Sequence, residues 1–244
     1  TMAILSDFVG TSARPLLVLD SSRSLRTRGE MSARIAAALS LRPLATEIHF
    51  LLDDAADPAS LKWELLEQQL SKHEDLLVYG FTWMLWLAWG EAEFPEPIEQ
   101  LLAGKRIHFI HSGGWKKLEE SKVDTGQFDS RLLRNLDDGS RVIDFYGLVE
   151  QVGIIYPLCE AGYRHTPAWA DVLVRDPWTL QPLVGEPGQL KLMNTLALGA
   201  PYHNVLTEDL GRIEPGECPC GRAGTRFTLL GRVPRAEVRG CANV

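Results

Sequence analysis

The chain reads Leu-Leu-Val-Tyr-Gly-Phe-Thr-Trp-Met-Leu-Trp-Leu-Ala-Trp-Gly at positions 76–90, a short apolar run followed directly by a longer, tryptophan-rich one. Residues 76–79 suit a buried strand, and residues 81–89 have the length and composition of a helix. The whole segment is free of charge but spans only fifteen residues, whereas a membrane-crossing helix needs about 20. We therefore predict a buried strand that leads into a core helix, and no membrane span.

The same alternation of strand and helix recurs on both sides of this segment. Short apolar runs typical of buried strands, and helical stretches between them, occupy residues 15–19, 31–41, 47–52, 59–73 and 106–110. Strands that alternate with helices predict a layered α/β fold, with a mostly parallel sheet and flanking helices. Ligands of such sheets bind beyond the carboxyl ends of the strands.

The pattern changes in the last third of the chain. Shorter candidate strands at 170–175 and 189–194 are separated by many Pro and Gly residues, which indicates a smaller β-rich subdomain. We therefore predict an α/β layered core over residues 1–152. A β-rich subdomain with a candidate metal site and a C-terminal tail follows over residues 153–244.

Composition narrows the class of partner. The 244 residues are 45% hydrophobic and 23% charged, with a net charge of −7 and a pI near 5.4. An acidic surface attracts neither nucleic acid nor an anionic membrane. The first nineteen residues lack the features of a signal peptide, and the four cysteines therefore indicate a cytoplasmic protein with thiols or a metal site rather than disulfides.

Two polar segments have the residue types that a nucleotide requires. In the first, Thr207-Glu208-Asp209-Leu210-Gly211 precedes a strand that ends in Gly231-Arg232. The Asp209 carboxylate can accept hydrogen bonds from both ribose hydroxyls, and the Arg232 guanidinium can donate to the sugar or its phosphate. Taken alone, such an Asp and Arg are more often a surface ion pair.

The second segment is Asp144-Phe145-Tyr146-Gly147-Leu148-Val149-Glu150, where an apolar strand runs into Tyr-Gly and then a carboxylate. The Tyr146 ring can stack on adenine, and Gly147 permits close backbone approach. Glu150 can hold a hydrated magnesium ion through its oxygens, which makes it a candidate catalytic residue. Together the two segments predict an ATP or acyl-adenylate site.

From about Pro15 to its end the chain resembles the acyl-protein synthetase (LuxE-type) family, the fatty-acid-activating component of the bacterial luminescence reductase. That family is related to phenylacetate-CoA ligase and the wider acyl-adenylate-forming enzymes. The residues that carry the resemblance lie at 111–116, 145–151, 196–203, 207–209, 218–222 and 231–241.

The resemblance implies that ATP and Mg²⁺ convert a fatty or other carboxylic acid to acyl-AMP. It also places Gly113, Gly114 and Trp115 in the loop beside the adenine and the carboxylate under activation. Without the resemblance, the Gly113-Gly114 pair indicates only a tight turn.

A set of metal-ligating side chains falls in the predicted β-rich part. Cys159 and His165 lie close in sequence, and Cys218 and Cys220 form a Cys-Pro-Cys-Gly turn. Three thiolates and an imidazole make a tetrahedral set for structural zinc. The alternative is free cysteines in turns, because Cys-x-Cys is less specific than Cys-x-x-Cys. Related ligases have a similar arrangement, so the resemblance favours Zn²⁺.

Cys241 stands apart, near the end of the chain. It is either a stray thiol or, as the resemblance implies, the catalytic nucleophile that accepts the activated acyl group as a thioester. The resemblance then implies an acyl reductase or carrier-protein partner.

The chain departs from the adenylate-forming pattern at its start. The Ser/Thr/Gly-rich loop that holds the ATP phosphates has a single, poor candidate at residues 8–14, so we expect an N-terminal portion to be missing from this chain. Two alternatives to the acyl-protein synthetase function stay open. One is an acyl-CoA or carrier-protein ligase of the same fold, and the other is a non-catalytic module that binds a nucleotide or a partner protein.

Overall fold

The computed structural model describes residues 1–25, 33–151, 153–197, 199 and 201–233. These residues divide into two compact units, one of residues 2–144 and one of Thr1 together with residues 145–233. The structural division falls inside a strand, after Asp144, whereas the boundary drawn from sequence after residue 152 stays a prediction. Within the described ranges, every helix is too short or too polar to cross a membrane.

The first unit alternates strands with helices. Its helices are α1 Met2–Val9, α2 Ala33–Ser40, α3 Trp63–Lys72, α4 Thr82–Leu85, α5 Glu96–Leu102 and α6 Thr125–Leu132. A π-helical turn lies at Trp86–Gly90, and short 3₁₀ segments lie at Ser22–Leu25, Arg42–Leu44 and Lys116–Ser121. Its strands are β1 Arg14–Ser21, β2 Ala45–Leu52, β3 Asp75–Phe81, β4 Arg106–Ser112 and β5 Arg141–Tyr146, whose last two residues belong to the second unit.

These strands form a parallel sheet in the order β2-β1-β3-β4-β5. The central strands β1, β3 and β4 are buried along almost their whole length, as expected for a parallel sheet covered by helices on both faces. On one face, Trp86, Trp89, Phe109 and Phe128 belong to a single apolar cluster. The layered α/β fold and each of the strands predicted around residues 15–19, 47–52, 76–79 and 106–110 are confirmed.

The helix that was predicted to begin at residue 59 begins at Trp63 in the structure, as α3. Leu61 forms a bridge with Leu52 of β2, and the Lys62 N–H donates to the Leu51 carbonyl at 2.8 Å. The backbone of these residues is therefore committed to an extended pairing, which local helix periodicity does not reveal.

The predicted helix at 81–89 is a single α-turn followed by the π-turn. The Glu91 N–H donates to the Trp86 carbonyl at 2.7 Å, which is the wide hydrogen bond of a π-helix. The Arg134 guanidinium ends this turn by donating to the carbonyls of Gly90 at 2.9 Å and Ala92 at 2.6 Å.

The second unit is a β-rich body, as predicted. Its strands are β6 Tyr156–Pro157, β7 Arg164–His165, β8 Ala170–Arg175, β9 Pro182–Leu183, β10 Gly188–Asn194, β11 Asn204–Ile213 and β12 Arg226–Arg232. Strands β7 to β12 form an antiparallel sheet in the order β7-β12-β11-β10-β8-β9. Alternate side chains of β8 and β10 point into a core with Ile154, Tyr156 and Phe227. Phe145 and Tyr146, at the end of β5, pair with β6.

Candidate functional site

Tyr146 and Asp209, which are 63 residues apart in sequence, meet in the second unit. The Tyr146 hydroxyl donates to Asp209 Oδ2 at 2.7 Å. Burial, followed by the nearby Asp209 carboxylate, raises the pKa of Tyr146 far above its usual value. The hydroxyl is therefore a permanent donor, and the hydrogen bond to a charged acceptor is of the stronger kind.

Arg232 approaches the same carboxylate from the neighbouring strand. Asp209 of β11 and Arg232 of β12 are direct partners in the antiparallel register, and Arg232 Nε lies 3.6 Å from Asp209 Oδ1. Arg232 Nη2 also donates to Glu208 Oε2 at 2.6 Å. The guanidinium thus bridges two consecutive carboxylates at a partly exposed position.

Hydrogen bonds among neighbouring strands fix the backbone around Asp209. The buried Thr207 hydroxyl donates to the Leu190 carbonyl at 2.9 Å and accepts the Asp209 N–H at 3.0 Å. The Val233 N–H donates to the Glu208 carbonyl at 2.9 Å. These bonds join β10, β11 and β12, so that the carboxylate stands on a fixed sheet rather than on a loop.

Gly147 and Glu150 lie in the exposed turn that follows β5. A side chain at Gly147 would press within 3.3 Å of Ile155 Cγ2 and 3.4 Å of the Ile154 carbonyl, so the glycine allows this close approach. Gln151 was not predicted as a site residue, yet its buried amide donates to the Leu192 carbonyl at 3.1 Å. It fixes the turn that presents the Glu150 carboxylate.

Gly113, Gly114 and Trp115 directly follow β4 in the first unit. Both glycines have positive φ, at 88° and 62°, and a side chain at Gly113 would lie 3.2 Å from the Phe81 ring. Such a turn favours glycine for conformational reasons. Trp115 is only 7% exposed and packs edge-on against Trp86 and Phe128. The structure thus places this side chain in the core of its unit.

A further titratable cluster in the first unit was not predicted. His111, at the end of β4, lies with its Nδ1 2.9 Å from the Thr82 hydroxyl and 3.9 Å from Asp144 Oδ1 on β5. Burial, followed by the Asp144 carboxylate, raises the pKa of Asp129 on α6 to about 6. The position of His111 and Asp144 at the ends of adjacent parallel strands is the sequence signal that would have found them.

Cys159, His165, Cys218 and Cys220 come together in the second unit, as predicted. Their ligand atoms all lie within 4.8 Å of one another. The Cys159 and Cys218 sulfurs are 3.8 Å apart, and Cys220 Sγ lies 3.4 Å from His165 Nε2. A disulfide requires about 2.05 Å between sulfurs, so Cys159, Cys218 and Cys220 are free thiols in this structure.

These separations fit one tetrahedral metal ion. Zinc bonds of about 2.3 Å to sulfur and about 2.0 Å to nitrogen give tetrahedral edges of about 3.8 Å between sulfurs and about 3.5 Å between sulfur and nitrogen. The observed distances are close to both values. The cluster can therefore hold a metal, and because all four positions are protein ligands, such a site is of the closed, structural type.

The pKa values of the cluster residues are shifted in different directions. Burial raises the pKa of Cys159 and lowers that of His165, which keeps the imidazole neutral and able to bind a metal. For Cys220, burial is outweighed by hydrogen bonds from the Arg222 backbone N–H and from Cys218, which lower its pKa. Arg222 also joins Glu160 through two hydrogen bonds, of 2.5 and 3.2 Å, so a salt bridge ties together the two turns that supply the thiols.

The predicted nucleophile Cys241 lies outside the described residues. The structure therefore brings together Tyr146, Asp209 and Arg232 as one group, and the four metal-ligating side chains as another.

Solved structures of adenylate-forming ligases share this fold. A 2-hydroxyisobutyryl-CoA ligase in complex with 2-HIB-AMP and CoA matches with a TM-score of 0.61 at 17% identity, over 96% of this chain and 50% of that chain. The N-terminal domain of FACL13 from Mycobacterium tuberculosis, an inhibitor-bound structure, matches with a TM-score of 0.57 at 14% identity, over 95% and 54%. At these identities the likeness defines the fold class.

The chain belongs to the acyl-protein synthetase LuxE family, whose model matches residues 2–244. It is also similar to the long-chain-fatty-acid–luciferin-component ligases of Aliivibrio fischeri, at 28% identity over 142 residues, and Vibrio harveyi, at 28% over 144 residues. Each match covers 57% of this chain and 37% or 36% of the relative. The matched residues thus span little more than a third of the length of these ligases.

Proposed function

We propose that this chain carries the acyl-adenylate-binding part of an acyl-protein synthetase that activates a fatty acid. The observation that supports it best is the group of Tyr146, Asp209 and Arg232, in which an aromatic ring from β5 meets a carboxylate from β11 and a guanidinium from β12. Asp209 accepts the ribose hydroxyls, Arg232 donates to the sugar or phosphate, and Tyr146 stacks on adenine. Gly147, in the turn after β5, belongs to the same proposed site. The role of Gly113, Gly114 and Trp115 beside the acyl-adenylate stays a prediction from the family resemblance, and the Trp115 side chain lies in the core of the first unit.

The proposed reaction has two steps. In the first, a carboxylate oxygen of the fatty acid attacks the α-phosphorus of ATP, and the bond to pyrophosphate breaks to give acyl-AMP. In the second, the Cys241 thiolate attacks the acyl carbon, the carbon–oxygen bond to AMP breaks, and a thioester forms. The thiol proton passes to solvent. A reductase or carrier protein is the proposed recipient of the acyl group.

Glu150 is the proposed magnesium ligand. Its carboxylate is exposed in the turn after β5, which leaves room for the water molecules that Mg²⁺ retains when one carboxylate holds it. Bound there, magnesium would neutralise phosphate charge.

Zinc is the proposed ion of the Cys159, His165, Cys218 and Cys220 cluster. Its support is the match of the observed separations to tetrahedral edges, and its proposed role is to hold the turns around β7 and β12 together.

The test of the function supplies the protein with ATP, Mg²⁺ and a radiolabelled long-chain fatty acid. The protein should become labelled, and hydroxylamine should release the label as it does from a thioester. Cys241→Ser should stop labelling while ATP–pyrophosphate exchange continues, because adenylation precedes transfer. Cys220→Ser is the variant to compare for labelling, because it removes a thiol of the metal cluster instead of the proposed nucleophile.

Labelling that persists in Cys241→Ser, together with acyl transfer to coenzyme A, would move the function to the acyl-CoA ligase. The absence of both exchange and nucleotide affinity would leave only the non-catalytic module.

A further inference from the structure

We propose that the Tyr146 hydroxyl is a positioning group for ribose recognition, which orients the Asp209 carboxylate for the two sugar hydroxyls. The inference rests on the proposed nucleotide site and gives Tyr146 a second role there. Stacking on adenine uses only the face of the ring. The hydroxyl is a separate group, and its position in the structure is what suggests the added role.

The geometry fixes the carboxylate from two sides. The Tyr146 hydroxyl binds Oδ2 at 2.7 Å, and the Arg232 guanidinium faces Oδ1 at 3.6 Å. The Asp209 N–H is itself held by the Thr207 hydroxyl at 3.0 Å. A side-chain carboxylate can otherwise rotate about its terminal torsion with little hindrance, because that torsion is broad. Here both oxygens have a neighbour, so the plane of the carboxylate is set before a ligand arrives.

The remaining capacity of the carboxylate matches a ribose. An ionised carboxylate has about four acceptor positions. The Tyr146 hydroxyl occupies one of them, and Arg232 faces the other oxygen at ion-pair distance, 3.6 Å. The Asp209 side chain is 22% exposed, so the other positions are open to a ligand. Two neighbouring hydroxyls of a sugar need two acceptors in a fixed relation, and a carboxylate already oriented provides them without a further loss of rotational freedom.

Tyr146→Phe separates this role from stacking, because it keeps the ring and removes only the hydroxyl. Asp209 is partly exposed, so water can replace the lost donor and the fold should survive, which a thermal melt checks. The probes are a stable fatty-acyl sulfamoyl adenosine and its counterpart built on dideoxyribose, titrated calorimetrically into the protein. The measured quantity is the ratio of their dissociation constants.

The wild-type protein should bind the ribose compound more tightly than the dideoxyribose compound. Tyr146→Phe should weaken the ribose compound roughly tenfold, as for loss of a hydrogen bond to a charged group, and leave the dideoxyribose compound unchanged. Tyr156→Phe is the matched control, because it removes a second buried hydroxyl whose partner is Gln151 rather than Asp209. It should keep the wild-type ratio.

A second pair of variants, Asp209→Ala with and without Tyr146→Phe, tests whether the hydroxyl acts through Asp209. In Asp209→Ala the two compounds should bind equally, and adding Tyr146→Phe to it should change neither constant. Equal weakening of both compounds by Tyr146→Phe, or no weakening of either, would leave the ratio unchanged and overturn the inference while the nucleotide site stands. Failure of the wild-type protein to bind either compound would overturn the proposed site as well.

Discussion

Removal of one thiol from the Cys/His cluster has the largest predicted consequence for the second unit. Cys218→Ala deletes a ligand whose sulfur lies 3.8 Å from that of Cys159. Three remaining ligands leave the tetrahedron open, so metal affinity should fall by more than the roughly 10–100-fold that follows loss of an outer partner of a ligand. A metal present at about a thousand times its dissociation constant contributes about 4 kcal/mol to the free energy of unfolding.

That contribution is a large share of the total, because folded domains are stable by only about 5–15 kcal/mol. The effect should be local. The two turns that supply the thiols lie beside β7 and β12, which pair through Arg226 and His165. Amide hydrogen exchange should therefore accelerate around residues 158–166 and 217–226, while β1 and β3 of the first unit keep their protection.

The assay combines elemental analysis with hydrogen exchange on protein purified without added metal. We expect about one zinc ion per wild-type chain, and Cys241→Ala, which removes the one cysteine that is not among the four predicted ligands, should retain it. Cys218→Ala should lose the zinc and the local protection together. Wild-type protein without zinc, or Cys218→Ala protein that keeps a full equivalent, would refute the assignment.

Three further predictions concern packing and titration. Arg134→Ala should lower the free energy of unfolding in urea by about 2 kcal/mol or more, because the carbonyls of Gly90 and Ala92 lose their donor; Arg131→Ala, which removes an exposed ion pair, should cost well under 1 kcal/mol. Gly224→Ala should destabilise the second unit, because its new methyl group would collide with the Thr166 carbonyl and φ there is 91°; an unchanged melting temperature would contradict this. The pKa of Asp129 is raised from 3.8 to about 6 in the folded protein, so the folded protein binds this proton more tightly than the unfolded chain does. The free energy of unfolding should therefore fall as pH rises through this range. Asp129→Asn should flatten that fall, and an unaltered slope would show that Asp129 is not its source.

Much of the fold could be predicted because its signals are local. Buried parallel strands such as β1 and β4 read as continuous apolar runs, since both of their faces are covered. The start of α3 could not be predicted, because Leu61 is held by a bridge to Leu52 rather than by its own helical pattern. The π-turn likewise has a contact from a distant residue, because Arg134 donates to the Gly90 carbonyl.

The candidate site was predicted as residue types and only partly as geometry. Tyr146, Asp209 and Arg232 were recognised from motifs, but the bond between the Tyr146 hydroxyl and Asp209 joins two strands far apart in sequence. No periodicity reports such a contact. The metal-ligating set was easier, because cysteine and histidine are few in this chain and their chemistry restricts what they can do together.

Calorimetric titration of a stable fatty-acyl sulfamoyl adenosine measures whether the chain binds an acyl-adenylate through Asp209. We predict measurable binding by the wild-type protein and a loss of about thirtyfold or more in Asp209→Ala, since two ribose hydroxyls lose their acceptor at about 1–3 kcal/mol each. The neighbouring Glu208→Ala, whose exposed carboxylate pairs with Arg232, should stay within about fivefold of wild type. Equal affinity of the Asp209→Ala and wild-type proteins would show that Asp209 is not the ribose acceptor, and no binding by either would show that the chain holds no acyl-adenylate.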